Sequence, residues 1–133
     1  MLANAIPKNT PDAASVMIVE DDQPVAFALN ESLAAAGYRI VGTAPDSVGA
    51  IRLAQQRHPD VALVDITLAG PIDGITTARY LAETMGIPIV FLTGHVEEAI
   101  REGFDVSRFV VGKPCSEDDL LGAVKDALAA RRH

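Results

Sequence analysis

The sequence has one cysteine, few aromatic residues and no long apolar run. The single cysteine, Cys115, has no partner in the chain, which excludes an internal disulfide framework and suits a reducing cytosol. An isolated cysteine of this kind is read as packing rather than as a reactive thiol. Cations are also scarce, with 11 Lys and Arg against 18 Asp and Glu and a net charge of -7. That balance argues against nonspecific nucleic-acid binding and against an anionic membrane surface, and it leaves room for a basic or helical protein partner. No stretch is long and apolar enough for a bilayer span. The N-terminus carries Pro7 and Pro11 and lacks a basic start followed by an apolar core, so it does not read as a secretory signal. The expected location is therefore cytoplasmic. There is no internal repeat and no low-complexity segment. A length of 133 residues predicts one domain with a real core.

What is present is a set of short apolar runs that end in polar residues. Val61-Ala62-Leu63-Val64 ends in Asp65, and Val16-Met17-Ile18-Val19 ends in Glu20-Asp21-Asp22. Ile89-Val90-Phe91-Leu92 ends in Thr93, and Phe109-Val110-Val111-Gly112 ends in Lys113-Pro114. Runs apolar at both alternating sets suit strands buried on both faces, as in a parallel sheet. A fifth strand is expected at 39–44, and the last one at about 107–112.

Helical patterns lie between the strands. Asp22 or Gln23 caps the first, with Pro24 in its first turn and Ala26, Leu29, Leu33 and Ala36 on one stripe. Gly37 suits its stop. Pro45-Asp46-Ser47 opens the second, with Val48 and Ile51 expected inside, and His58-Pro59-Asp60 ends it. Asp73 caps the third, with Ile75, Ala78 and Ala82 expected to be buried, and Gly86 ends it. A weaker helix is expected at 96–102. Ser116 with Asp119 starts the last helix in the manner of a capping box, with Leu120, Val124 and Leu128 inside and Arg131, Arg132 and His133 at its negative end. Residues 1–14 read as a flexible tail and 15–133 as the domain. The fold class is α/β: five strand–helix units forming a doubly wound five-stranded parallel sheet with helices on both faces.

Parallel strands gather their polar ends on one edge, and ligands bind at the carboxyl edge of such sheets, where strand order reverses. Several carboxylates in one crevice repel one another unless a cation joins them. Oxygen ligands select a hard cation, and Mg²⁺ commonly takes one or two carboxylates together with phosphate oxygens. A cation also lowers the charge barrier to attack by Asp65 on a phosphoryl group, and a carboxylate nucleophile gives an aspartyl-phosphate. Thr93 could donate to a phosphoryl oxygen, and Lys113 could pair with it as a mobile charge. Taken one at a time these residues have plainer roles: the acidic run can cap a helix, Asp65 and Thr93 can finish strands, and Lys113-Pro114 can be a turn. Their arrival together at four strand ends favours phosphoryl transfer.

The order and spacing resemble the receiver domain of two-component response regulators, over about 16–129. The resemblance rests on Met17-Ile18-Val19-Glu20-Asp21-Asp22, Leu63-Val64-Asp65-Ile66-Thr67-Leu68, Asp73-Gly74, Leu92-Thr93-Gly94 and Lys113-Pro114. It implies a flavodoxin-like sandwich with strand order 2-1-3-4-5. It implies that Asp65 accepts phosphate from a histidine kinase or a histidine phosphotransfer protein. Asp21 would bind Mg²⁺ directly, Glu20 through water, and Asp65 and the backbone carbonyl of Thr67 would complete the protein ligands. Thr93 and Lys113 would hold the phosphoryl group, and Lys113-Pro114 would be a cis peptide. Output would pass to a downstream protein through the face made by the 96–102 helix, the fifth strand and the last helix, with homodimer formation as a further outcome. Because the chain stops after that helix, a stand-alone receiver is expected, signalling by protein contact or serving as a relay or phosphate sink.

Some positions depart from the family pattern. Val110 stands where many receivers carry an aromatic switch residue, and Phe109, one place earlier, should face the other way. Phe91-Leu92-Thr93-Gly94-His95 is similar to the Phe-x-Thr-Gly subgroup of stand-alone receivers, which often lacks that aromatic. Leu68-Ala69-Gly70-Pro71 replaces the more usual loop, and Cys115 replaces a common aromatic after the proline. Thr67 and His95 occupy positions that flank the path of the hydrolytic water in the family and should tune phosphate lifetime. His95 can titrate near neutral pH, so decay of the phosphorylated form should depend on pH; a flat rate would count against this role and leave His95 a solvated helix-start residue. Three rival readings compete with the receiver. A haloacid-dehalogenase-like phosphatase needs a second Asp where Thr67 stands. A flavin binder would need a Ser/Thr/Gly-rich phosphate loop after the first strand. A pseudo-receiver would bind partners without phosphorylation.

Overall fold

The computed structural model describes residues 13–66, 68, 73–94, 109–113 and 115–130. The elements run β1 (Ser15–Val19), α1 (Gln23–Ala35), β2 (Arg39–Ala44), α2 (Ser47–Arg57), β3 (Val61–Asp65), α3 (Gly74–Met85), β4 (Ile89–Thr93), β5 (Phe109–Gly112) and a last helix (Glu117–Ala130). All strand pairs are parallel, in the order β2-β1-β3-β4-β5. This is the expected doubly wound, flavodoxin-like sheet.

Each helix begins where a short polar side chain satisfies an orphan amide. Asp22, rather than Gln23, caps α1 and accepts from Val25 N at 3.2 Å. Asp46 accepts from Gly49 N at 2.8 Å, Asp73 from Thr76 N at 2.8 Å, and Ser116 Oγ from Asp119 N at 3.0 Å. At the far end of α3, Gly86 takes a left-handed φ of 70°. The end of α2 uses His58 in the same conformation, at φ 49°, just before Pro59.

Strand alternation divides the core in two. Val16, Ile18, Val61, Leu63, Val90 and Leu92 meet Ala26, Leu29 and Leu33 of α1 and Leu120, Val124 and Ala127 of the last helix. Met17, Val19, Ala62, Val64, Ile89 and Phe91 meet Ala50 and Ala54 of α2 and Ala78 and Leu81 of α3. Phe109 packs with the first group and Val110 with the second, so the two do face opposite ways.

The helical stripes need correction. In α2 the buried residues are Ser47, Ala50 and Ala54, while Val48 is 61 % exposed and Ile51 only half-buried. With Asp46 as the cap, the helical phase turns the small residues inward, and a helix seated closely on a sheet accepts them there. In α3 the buried set is Gly74, Thr77, Ala78 and Leu81, with Ile75 and Ala82 at the margin. Thr77 tolerates burial because its hydroxyl donates to Asp73 O at 2.8 Å. Ala36 and Leu128 are likewise half-buried, and Ala127 takes the inner place in the last helix.

At the amino edge, Asp60 ties β1 to the entry of β3. Ser15 N and Ser15 Oγ donate to Asp60 Oδ2 at 2.8 and 3.2 Å, and Asp60 N donates to Ser15 Oγ at 3.0 Å. At the β2 edge the register slips between Val16 and Met17, which pair with Ile40 and Gly42. Val41 is therefore an extra residue, a bulge made feasible by Gly42 at φ 156°. The expected tail lies outside the described residues up to position 12; Ala14 O already accepts from Arg39 N at 2.9 Å. Also outside the described residues are the expected 96–102 helix, the Gly70-Pro71 loop, Arg131, Arg132 and His133. Among the described residues, no helix is long and apolar enough to cross a membrane.

Candidate functional site

Strand order reverses between β1 and β3, and the acidic residues sit at that switch point. Register fixes the placement. Val19 pairs with Val64, so Glu20 and Asp65 follow side by side, and Glu20 N donates to Ala44 O at 2.9 Å. Asp65 pairs with Leu92, and Ile66 N donates to Leu92 O at 3.0 Å, which carries the ladder one residue past the carboxylate. Thr93 pairs with Gly112, and its carbonyl accepts from Lys113 N at 2.8 Å. Four strand ends therefore present their polar residues on one edge.

Glu20 and Asp65 are buried, with 3 % and 2 % of their surface exposed, while Asp21 is open to solvent. One carboxylate oxygen from each of the three lies within 4.8 Å of the others. Lys113 reaches between them, with Nζ 3.0 Å from Glu20 Oε1 and 3.4 Å from Asp65 Oδ2. The other Glu20 oxygen accepts from Asp22 N at 3.1 Å. Thr93 is buried at the end of β4. Thr67, His95 and Pro114, and with it the cis-peptide expectation, lie outside the described residues.

The electrostatics follow from this packing. Burial pushes the Glu20 carboxyl above the ordinary carboxylate range; the Asp22 amide and Lys113 pull it back, and Asp65 adds to the rise. Burial alone would lower Lys113, but its hydrogen bond to Glu20 and the charges of Asp65 and Glu20 outweigh that and raise it. The two directions agree on one physical state: Lys113 stays an ammonium, and Glu20 bears the cost of a buried anion with anionic neighbours. Burial likewise raises Cys115, as suits a packing thiol at the wall of the cleft between α1 and the last helix.

An all-oxygen donor set with two buried anions and one open to water fits a hard divalent cation that keeps part of its hydration shell. Glu20, Asp21 and Asp65 could hold it. The contact missed from the sequence is the one between Lys113 and Glu20. The two are 93 positions apart, and only the sheet order brings them together. The expected cation between the carboxylates is thus supplied in part by the chain itself.

A doubly wound sheet with acids and a lysine converging at its switch point defines a flavodoxin-like module of the receiver type. The sequence model for the response regulator receiver domain matches residues 16–125, and the chain belongs to that family. Among curated relatives, the transcriptional regulatory protein PdtaR of Mycobacterium tuberculosis is 34% identical over 133 residues, covering 95% of this chain and 63% of that protein. The phyllosphere-induced regulator PhyR of Methylorubrum extorquens is 25% identical over 117 residues, covering 87% of this chain and 44% of that protein. The chain thus spans less than two thirds of the length of these relatives. Among solved structures, the signal receiver domain of a modulated diguanylate cyclase from Desulfovibrio desulfuricans is similar at a TM-score of 0.83 and 32% identity, covering 91% of this chain and 98% of that one. The response regulator PhyR of Brucella abortus reaches 0.83 at 26% identity, covering 94% of this chain and 51% of that one. The family is one of signalling modules rather than dedicated catalysts.

Proposed function

We propose that the chain is a phosphoryl-accepting receiver that takes phosphate on Asp65 from a histidine kinase or histidine phosphotransfer protein. The observation that carries this is the buried Asp65 carboxylate beside Glu20, Asp21 and Lys113 at the strand-order switch. An Asp65 oxygen forms the new O–P bond as the bond from phosphorus to the donor nitrogen breaks and its electron pair returns to the imidazole. Mg²⁺, when bound, neutralises charge between the carboxylates and the incoming phosphoryl group. Asp21, open to solvent, would be its direct ligand, with Asp65 and the Thr67 carbonyl beside it and Glu20 acting through water. Lys113 moves from Glu20 to a phosphoryl oxygen, and the Thr93 hydroxyl donates to another. Thr67 and His95 tune the lifetime of the adduct.

Output passes through the face of β5 and the last helix. The described part of that face includes a groove of about 420 Å³ lined by Phe109 and Val110 of β5 and by Asp118, Asp119 and Asp126 of the last helix. Its charge suits a partner with a basic surface. The names of the relatives describe transcriptional regulators and, for PhyR of Bartonella quintana, an anti-anti-sigma factor. A regulatory protein is accordingly the class of partner favoured for this chain.

The test is labelling with acetyl phosphate, followed by intact mass, with and without Mg²⁺, on wild type and Asp65→Asn. One added phosphate that needs Mg²⁺ and disappears in the variant supports the proposal. An unlabelled wild type that also fails to bind beryllofluoride would make the module a pseudo-receiver.

A further inference from the structure

Gly74 opens α3 directly against the backbone that carries Asp65. Its amide donates to Ile66 O at 3.1 Å. A side chain there would meet the Asp65–Ile66 peptide itself: its Cβ would lie 2.8 Å from the Asp65 carbonyl carbon, 2.9 Å from Ile66 Cα, and closer still to the Asp65 carbonyl oxygen. These are backbone atoms, so no rotamer change relieves the overlap. A shift of the peptide would act on the β3–β4 ladder, where Ile66 N is bonded to Leu92 O at 3.0 Å, and on the Asp65 side chain it carries. Gly74 is not among the glycines with positive φ. Its place in the first turn of α3 is one that any residue could take on conformational grounds, and alanine would favour the helix. What demands glycine at 74 is contact with the Asp65 peptide.

We propose that Gly74 is a positioning residue for the Asp65 carboxylate. Its missing side chain lets the first turn of α3 seat on the exit of β3 and hold Asp65 against Glu20, Asp21 and Lys113. The proposal deepens the receiver reading and rests on it for the role of Asp65. Asp73 serves the same end by capping α3 through Thr76 N, which fixes where that first turn begins.

The test compares Gly74→Ala with two controls. Gly122→Ala, in the last helix, meets nothing within 4 Å and should label as wild type does. Leu81→Ala removes a buried side chain of the same helix, two turns away, and reports the effect of destabilisation alone. Labelling by acetyl phosphate is measured at a temperature where all the variants are folded, and Mg²⁺ affinity by amide NMR shifts. Gly74→Ala is expected to slow labelling by about tenfold or more, as a displaced nucleophile does, to weaken Mg²⁺ binding and to move the amide signals of Asp65, Glu20 and Lys113. Leu81→Ala should lower Tm and leave all three readouts near wild type. Wild-type labelling and Mg²⁺ affinity in Gly74→Ala would overturn the proposal, as would losses no greater than those of Leu81→Ala. If wild type takes no phosphate, the receiver reading fails, and Gly74 is judged on Mg²⁺ affinity and on whether the Glu20 and Lys113 signals move.

Discussion

The two ends of β3 each carry an aspartate, and the two are treated in opposite ways. Asp60, at the entry, accepts from the amide and the hydroxyl of Ser15, which are neutral donors on the neighbouring strand. Asp65, at the exit, lies among Glu20, Asp21 and Lys113. The first arrangement ties two strands together. The second gathers like charges in a buried crevice, which costs stability in the fold and leaves carboxylate oxygens disposed toward a cation or a phosphoryl group. Only the four residues Val61 to Val64 separate a structural carboxylate from a chemical one, and the neighbours make the difference.

The sharpest way to probe that contrast is to remove Lys113 from the crowded end. Lys113→Ala leaves the fully buried Glu20 side chain without its ammonium and should destabilise the protein by about 3 kcal/mol in denaturant titration without Mg²⁺. Added Mg²⁺ should recover part of the loss, because it supplies the missing charge. Labelling by acetyl phosphate should fall as well. The matching change at the other end, Asp60→Ala, strands the buried Ser15 amide and should cost about 2 kcal/mol. Here labelling should remain at the wild-type rate; a large drop would erase the distinction between the two ends. Asp22→Ala removes the α1 cap and should cost about 1 kcal/mol. The Asp22 amide still reaches Glu20, so the acid cluster should keep its Mg²⁺ affinity.

The smallest expected effect is in pH dependence. Burial holds Glu20 above its free value, so the folded protein keeps that proton to higher pH than the unfolded chain does. From about pH 4.3, the free glutamate value, upward, the native state binds more protons and stability falls until Glu20 has ionised. Lys113 acts at the other extreme: raised in the fold, it contributes stability below the free lysine value and loses it only as strongly alkaline pH passes its folded value. Measured without Mg²⁺, wild type should therefore lose stability relative to Glu20→Gln as pH rises through the weakly acidic range. Parallel Tm curves for the two would show that Glu20 is not strained by its neighbours.

Much of this was legible in the sequence because each element carries its own signal. Four apolar runs end in polar residues, and Asp22, Asp46, Asp73 and Ser116 mark the helix starts. The inner faces of α2 and α3 were harder to read. Val48 and Ile75 look like core by size, yet close approach of helix to sheet selects Ala50, Ala54 and Gly74. Small residues give a weak periodic signal, and a buried threonine such as Thr77 gives none until its hydrogen bond is known. In the site, Glu20, Asp21, Asp65 and Lys113 could be named singly, since each ends a run. The pairing of Lys113 with Glu20, and the seat of Gly74 on Asp65, are properties of the folded arrangement that local pattern does not encode.

The bulge in β2 bears on how the molecule behaves in company. β2 is the outermost strand on its side of the sheet, and a straight outer strand is a template on which another copy can add. The extra residue at Val41 and the turn of the chain at Gly42 bend that margin, and the exposed Arg39 and Thr43 leave it polar. A side chain at Gly42 would also press on Leu53, whose Cδ2 would lie 3.0 Å from the added Cβ. A substitution that straightened β2 would show itself less in the chemistry of the crevice than in the concentration at which the protein begins to aggregate.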